Sequence, residues 1–401
     1  MPFFLPLVAV LSAGCAEMTA PPAAPAPLPA SVAVVFDRQG AEAAIVEGLA
    51  DRATGRAVSA NDPVRIASIS KLVMTVATMR LVDEGKVALD TDVSRYLAWP
   101  LRHPAYPDTA VTLRQLLSHR SGLRDDAGYV VPYGESLADK LDDPRAWYAE
   151  APPGEAPFEY ATLGSPVVAT VLEAASGERY DRLLERTVFA PLGVEACVNW
   201  VGCSQEFSDS AVILYRSTGQ VARDDAGDRP PNCPFPVADG VECSLAEYEI
   251  GTNASIFSPQ GGVRIGMLDL AKIGQAVFDP ENAFLSSTSR DALLRSASAP
   301  TRAANPFFCR YGLAIQRIQS NDDNCDDTLI DDGRTYVGHA GEAYGLRSGL
   351  WFDLGTGSGI AYFTTAVPDR TAPDEGGFVD EEVDLVRRAF ERLRQTGDVP
   401  G

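Results

Sequence analysis

Lysine is scarce in this chain of 401 residues: Lys71, Lys86, Lys140 and Lys272 stand among 34 lysines and arginines. Arginine stays protonated in proteins, whereas a desolvated lysine can give up its proton. A lysine kept where arginine serves elsewhere is therefore a chemical choice more than a choice of charge. Positive charge is short overall, because 55 acidic residues leave a formal net charge of −21. That balance disfavours nucleic acid and acidic membrane surfaces as partners. The acidic pairs Asp322-Asp323 and Asp331-Asp332 read as hydrated loops. No constellation of three metal ligands is apparent and no cysteine spacing is CxxC, so neither a metal, a redox centre nor another cofactor is expected. Internal repeats and coiled-coil heptads are missing as well. What remains is ordinary apolar content, enough for a packed core in one large domain or two smaller ones.

Residues 1–15 read as a targeting segment. Phe3 to Leu11 is apolar yet too short to span a bilayer, and it ends in Leu11-Ser-Ala-Gly-Cys15. This ending resembles a bacterial lipoprotein signal, in which Cys15 is lipidated and becomes the first mature residue. Two positions depart from that signal, since no Lys or Arg precedes the apolar run and leucine sits one position further from Cys15 than the usual pattern wants; an ordinary signal peptide is the competing reading. Residues 16–30, rich in Pro and Ala, form an extended spacer. The expectation is an exported, periplasmic protein that meets the membrane only through an anchor at Cys15. Six cysteines remain, and their close spacing suggests the pairs Cys197–Cys203, Cys233–Cys243 and Cys309–Cys325, each stapling a loop. An oxidising compartment makes this sensible.

From residue 31 to 401 the pattern is that of one domain. Ser31 to Phe36 and Ala43 to Leu49 read as a strand hairpin. Ile69 to Val82 is apolar on nearly every side, the mark of a buried helix, and Gly85 is placed to end it. Helical patterns alternate with Pro/Gly loops as far as Phe278. Strand patterns return at Tyr311 to Ile318 and continue to Ala366, and Glu381 to Leu393 is an amphipathic helix. The expected fold is mixed α+β (α/β in the broad sense). One antiparallel sheet, drawn from about 31–67 and 305–401, is flanked by helices and interrupted by a mainly helical part, about 68–304.

The segment Arg65-Ile-Ala-Ser-Ile-Ser-Lys71 carries the chemistry. Ser68 and Lys71 are three apart and share a helix face. A hydroxyl is a poor nucleophile until a base takes its proton. Ser70, next to Lys71, points about 100° away and is discounted. Further along stand Leu116-Leu-Ser-His-Arg-Ser-Gly-Leu123, then Pro153-Gly154 leading to Tyr160-Ala-Thr162. Gln260-Gly-Gly262, Asp269 to Gly274 and Tyr336-Val-Gly-His339-Ala-Gly341 follow. In this order the motifs resemble the serine β-lactamase and penicillin-binding protein superfamily, most of all its class C branch with D-alanyl-D-alanine peptidases and esterases. The resemblance runs from about Asn61 to Pro368.

The resemblance implies a cleft between the sheet and the helical part, with Ser68 as nucleophile and Lys71 or Tyr160 as general base. It implies oxyanion donors at the backbone N–H groups of Ser68 and Glu342, with Gly341 leaving room for substrate. Two positions depart from the pattern. His339 stands where many relatives carry lysine, so a fixed charge for a substrate carboxylate is missing, and the imidazole is free to be neutral or charged near neutral pH. Thr162 stands where the β-lactamase pattern has asparagine, and offers one donor where an amide offers two with an acceptor. Both changes favour esters over β-lactams. The expected function is an exported serine hydrolase working through an acyl-enzyme, on a small-molecule ester, amide or peptidoglycan-like substrate. A D-alanyl-D-alanine carboxypeptidase, an aminopeptidase and a β-lactamase are the alternatives, and a non-catalytic binding lipoprotein is the rival of another class. His119 and His103 read as structural or surface residues. Gly345 to Gly349 has the wrong spacing for a nucleophile elbow, and Gly355 to Gly359 reads as a turn between strands.

Overall fold

The computed structural model describes residues 29–319, 325–368 and 377–396. Six strands make the central antiparallel sheet: β1 (Ser31–Phe36), β2 (Ala41–Glu47), β3 (Gln316–Ile318), β4 (Tyr336–Ala343), β5 (Leu346–Asp353) and β6 (Ser358–Thr364). Their spatial order is β2-β1-β6-β5-β4-β3. β1 lies between β2 and β6, in register from Ser31↔Thr364 to Phe36↔Gly359, which is why all six residues are buried and Val32 to Phe36 are apolar on both faces. Val32, Val34 and Phe36 enter one core while Ala33 and Val35 enter the other. The two chain ends thus share one sheet, as the sequence implied.

Helices cover both faces. Helix α1 (Ile69–Asp83) and α3 (Met267–Phe278) lie on the side of the larger core, with α2 (Gly164–Ser176) packed beyond α1. Helix α4 (Asp380–Thr396) closes the opposite face, laying Leu385, Val386, Ala389 and Leu393 against Trp351, Ile360 and Tyr362. Burying an apolar side chain of this size contributes roughly 1.5–3 kcal/mol. Helix α1 is buried on almost all sides, and Gly85, at φ +68°, returns its N–H to Val82 and ends it. β4 and β5 are joined by Tyr344-Gly345, both at positive φ, the two-residue turn whose twist suits a hairpin.

Three local expectations are corrected. β2 stops at Glu47, because Gly48, at φ +88°, turns the chain where any side chain would strike Pro29; Leu49–Asp51 then pairs with Arg56–Ala57 instead. Of the strand expected over Tyr311 to Ile318 only Gln316–Ile318 pairs with β4, since Gly312 to Ile315 closes a tight turn with Ala314 at φ +48°. Two short strands, Val263–Ile265 and Ala196–Val198, sit inside the part expected to be mainly helical and pair into a small sheet with Val64–Arg65. The disulfides pair as the spacings suggested: Cys197–Cys203, Cys233–Cys243 and Cys309–Cys325. Cys15, the targeting segment and nearly all of the spacer lie outside the described residues, as do Asp322 and Asp323. No helix among the described residues is long and apolar enough to cross a membrane.

Candidate active site

The small sheet sets the entry to α1. Ile66 N–H donates to Val263 O (3.0 Å), and Ala67 then takes φ +47° before the helix begins at Ser68. Such a conformation is uncommon for alanine and turns the chain sharply into the helix. Ser70 is fully buried and its Oγ accepts from Val263 N–H (3.1 Å), so the second serine fastens α1 to the sheet. Lys71 is buried; its Nζ lies 3.1 Å from Ser68 Oγ and 3.2 Å from Gln260 O. Its hydrogen-bond partners are thus a hydroxyl and a carbonyl, with no carboxylate among them.

Tyr160 reaches the same place from the loop before α2. Its ring stacks on Phe308 (centroids 4.6 Å apart, planes 11° apart) and Lys71 Nζ lies 4.7 Å from its centroid. The ammonium therefore meets the face of the ring, and among the described residues no hydrogen bond joins the phenol to Ser68 or Lys71. Thr162 follows at the edge of the cleft, its backbone N–H bound to Asp125 Oδ2 (2.9 Å).

β4 forms the other wall. β3 pairs only with Tyr336 to Gly338, so among the described residues the edge from His339 to Ala343 has no strand beside it there. His339 is buried, with Nε2 2.8 Å from Tyr311 Oη and Nδ1 beside Ala340 O. Burial first, and the charge of Lys71 second, push its pKa down to about 3. Of the two states left open for His339, neutral or charged, burial and Lys71 favour the neutral one, and both nitrogens are engaged by the protein. Gly341 is also reassigned. A Cβ there would lie 2.3 Å from Ser348 Oγ and 2.4 Å from Ile66 O, so its missing side chain admits the chain's own backbone beside the nucleophile. Glu342 is half exposed and pairs with the buried Arg347 of β5 (2.9 Å).

Two cavities meet at this point. One of about 460 Å³ is walled by Tyr129, Trp200, Phe235, Thr162 and Tyr344; another of about 290 Å³ is walled by Tyr160, Phe307, Phe308, Phe378 and His339. Ser68 and Glu342 line both, and Lys71 lines the larger. The structure therefore brings together Ser68, Lys71, Tyr160, Thr162, His339, Gly341 and Glu342. No cluster of three or more potential metal ligands occurs among the described residues. His103 is structural, with Nε2 2.9 Å from Tyr148 O. Sequence reasoning missed Arg347, Phe308 and the placement of His119, whose ring centroid is 4.5 Å from that of Tyr160. The segment Leu116 to Leu123 was the available signal for His119; Phe308 and Arg347 sit in patterns that read as ordinary core.

The chain is similar to several known proteins. The family model described as Beta-lactamase matches residues 28–383. Esterase EstB of Burkholderia gladioli is 35% identical over 167 residues, 38% of this chain and 42% of that protein. The D-alanyl-D-alanine-carboxypeptidase/endopeptidase AmpH of Escherichia coli (strain K12) is 33% identical over 140 residues, 33% of this chain and 35% of its own. The chain thus spans less than half the length of these relatives. Among solved structures, the D-amino acid amidase from Ochrobactrum anthropi SV3 complexed with L-phenylalanine amide superposes with a TM-score of 0.66 at 17% identity, over 92% of this chain and 94% of that one. The class C beta lactamase from Rhodobacter sphaeroides gives 0.61 at 15%, over 93% and 95%. At these identities the two structures speak for the fold alone.

Proposed function

The chain belongs to the Beta-lactamase family, and from that premise we propose that it is a serine hydrolase that forms an acyl-enzyme at Ser68, with esters as its preferred substrates. The observation that carries the reading is Lys71 Nζ at 3.1 Å from Ser68 Oγ, at the junction of the two cavities. Lys71 Nζ lies within hydrogen-bond distance of both Gln260 O and the serine hydroxyl, where it is placed to take the proton. Ser68 Oγ adds to the substrate carbonyl as its proton passes to Lys71 Nζ, with Tyr160 beside both as the alternative base. The developing oxyanion is stabilised by the backbone N–H groups of Ser68 and Glu342. The alkoxide leaves as the alcohol with the proton held on Lys71 Nζ, and water then adds to the acyl carbon, one of its protons returning to Ser68 Oγ through Lys71 as the acid is released.

Three features support esters over β-lactams. His339 is neutral and spends both nitrogens on Tyr311 and Ala340, so it holds no substrate carboxylate. Thr162 supplies one donor where an asparagine supplies two. Esterase EstB, moreover, is a relative. A D-alanyl-D-alanine peptidase is the second reading, supported by the likeness to AmpH. Export belongs to the same reading: three disulfides suit an oxidising compartment, with Cys15 as the lipid anchor of a periplasmic enzyme. The test compares a short-chain nitrophenyl ester, a D-alanyl-D-alanine peptide and a chromogenic cephalosporin. The ester is expected to show the highest kcat/KM; preference for the cephalosporin overturns the substrate assignment.

A further inference from the structure

His119 is a buried imidazole with no part in the proposed chemistry, yet it holds both flanks of Tyr160. Its carbonyl oxygen accepts the N–H of Glu159 (3.1 Å), and its Nδ1 accepts the N–H of Ala161 (3.2 Å). The residue on each side of Tyr160 is thus tied to the same histidine, through main chain and side chain respectively. Asp125 continues the clamp, its two oxygens accepting the N–H groups of Thr162 and Leu163 at 2.9 Å each. Because Nδ1 serves as an acceptor, the proton of the neutral ring sits on Nε2, which is buried and has no hydrogen-bond partner among the described residues. Leaving a ring N–H unsatisfied inside a protein is costly. The site therefore spends stability to put an acceptor opposite Ala161. The ring itself packs 4.5 Å from Tyr160, 5.1 Å from Tyr311 and 5.8 Å from Phe158, centroid to centroid. The backbone adds a further sign of constraint: His119 sits at φ +54°, in the left-handed region that histidine and asparagine enter more readily than most side chains.

We infer that His119 is the positioning residue that sets Tyr160 against Lys71 and Ser68. The inference rests on the reading of Ser68 as nucleophile with Tyr160 beside it. It has a sharp chemical corollary. Asparagine carries an acceptor close to where Nδ1 lies and tolerates the same backbone conformation, whereas glutamine is equally polar but carries its acceptor one carbon further out.

The experiment compares His119→Asn, His119→Gln and the wild-type protein, using kcat and KM for a short-chain nitrophenyl ester and amide hydrogen exchange over residues 157–164. His119→Asn is expected to keep kcat within a few-fold of wild type and to keep the exchange protection of Ala161. His119→Gln is expected to lower kcat by about ten- to a hundredfold, the cost of a misplaced reacting group, with little change in KM and with faster exchange at Ala161. A His119→Gln protein that matches wild type in kcat and in exchange overturns the inference, and so do equal losses in both variants. Hydrogen exchange reads the clamp without reference to turnover. A wild-type protein that turns over no ester while the exchange pattern follows the expectation therefore refutes the assignment of esters as substrates, not the role of His119 in fixing Tyr160.

Discussion

Gly341→Ala tests how closely the nucleophile depends on the strand beside it. The added Cβ would meet Ser348 Oγ at 2.3 Å, Ile66 O at 2.4 Å and Ala67 Cβ at 3.3 Å, whereas real Cβ atoms essentially never approach within 3.0 Å. Ile66 O must therefore retreat by at least about 0.6 Å, and it is the carbonyl two residues before Ser68. Retreat also stretches the bond from Ser348 Oγ to Ile66 O, now 3.1 Å. Overpacking of this kind costs about 1–3 kcal/mol of stability. Displacing a reacting group by the better part of an ångström costs on the order of tenfold to a hundredfold in rate. The assay is the rate at which a serine-directed phosphonate modifies the protein, read by intact mass, beside a thermal melt. A second variant sharpens the attribution. In a Ser348→Ala background one of the two closest contacts is gone, so adding Gly341→Ala should cost visibly less than it does alone. A Gly341→Ala protein that is labelled at the wild-type rate and melts at the wild-type temperature would refute the packing argument.

Two further perturbations concern the frame around the site. Arg264 and Asp225 form a fully buried ion pair at 2.5 Å, with the guanidinium over Trp200, a wall of the larger cavity; Asp225→Ala removes this charged hydrogen bond and is expected to cost about 1.5–3 kcal/mol in urea unfolding. A loss below about 1 kcal/mol would show that Arg264 does not rely on that carboxylate. Glu173, on α2, is pushed up to about 7 by burial, against hydrogen bonds from Tyr248, Gly251 and Tyr180. Because the folded state favours the protonated acid, its contribution is complete below the ordinary value of 4.5 and is lost as pH rises through about 7. Wild type should therefore lose up to about 3 kcal/mol relative to Glu173→Gln between pH 4.5 and pH 8, and parallel stability curves would contradict the assignment.

The sequence made the sheet and the nucleophile region readable because their signals are local. β1 is apolar from Val32 to Phe36 since it lies inside the sheet, and α1 is apolar on nearly every side since it is buried there. Ser68 and Lys71 are tied by helical spacing alone, and the three disulfides close short loops. What escaped depends on contacts between distant segments. His339 looked able to titrate because nothing in its own strand announces Tyr311, 28 residues away, or the burial that keeps it neutral. Gly341 looked like room for substrate, but the neighbour that needs the room is Ile66. Tyr160 could be placed by its motif; that Lys71 meets its ring face, and that His119 grips both sides of it, follows only from the packing of three loops. The small sheet was invisible because its strands are two or three residues long.

The account stands most directly on the identity of the acylated residue. Wild-type protein treated with a serine-directed phosphonate is expected to gain one adduct, mapped by peptide sequencing to Ser68 and abolished in Ser68→Ala, while Lys71→Ala slows its formation. An adduct that persists in Ser68→Ala, or that maps to Ser70, would contradict it.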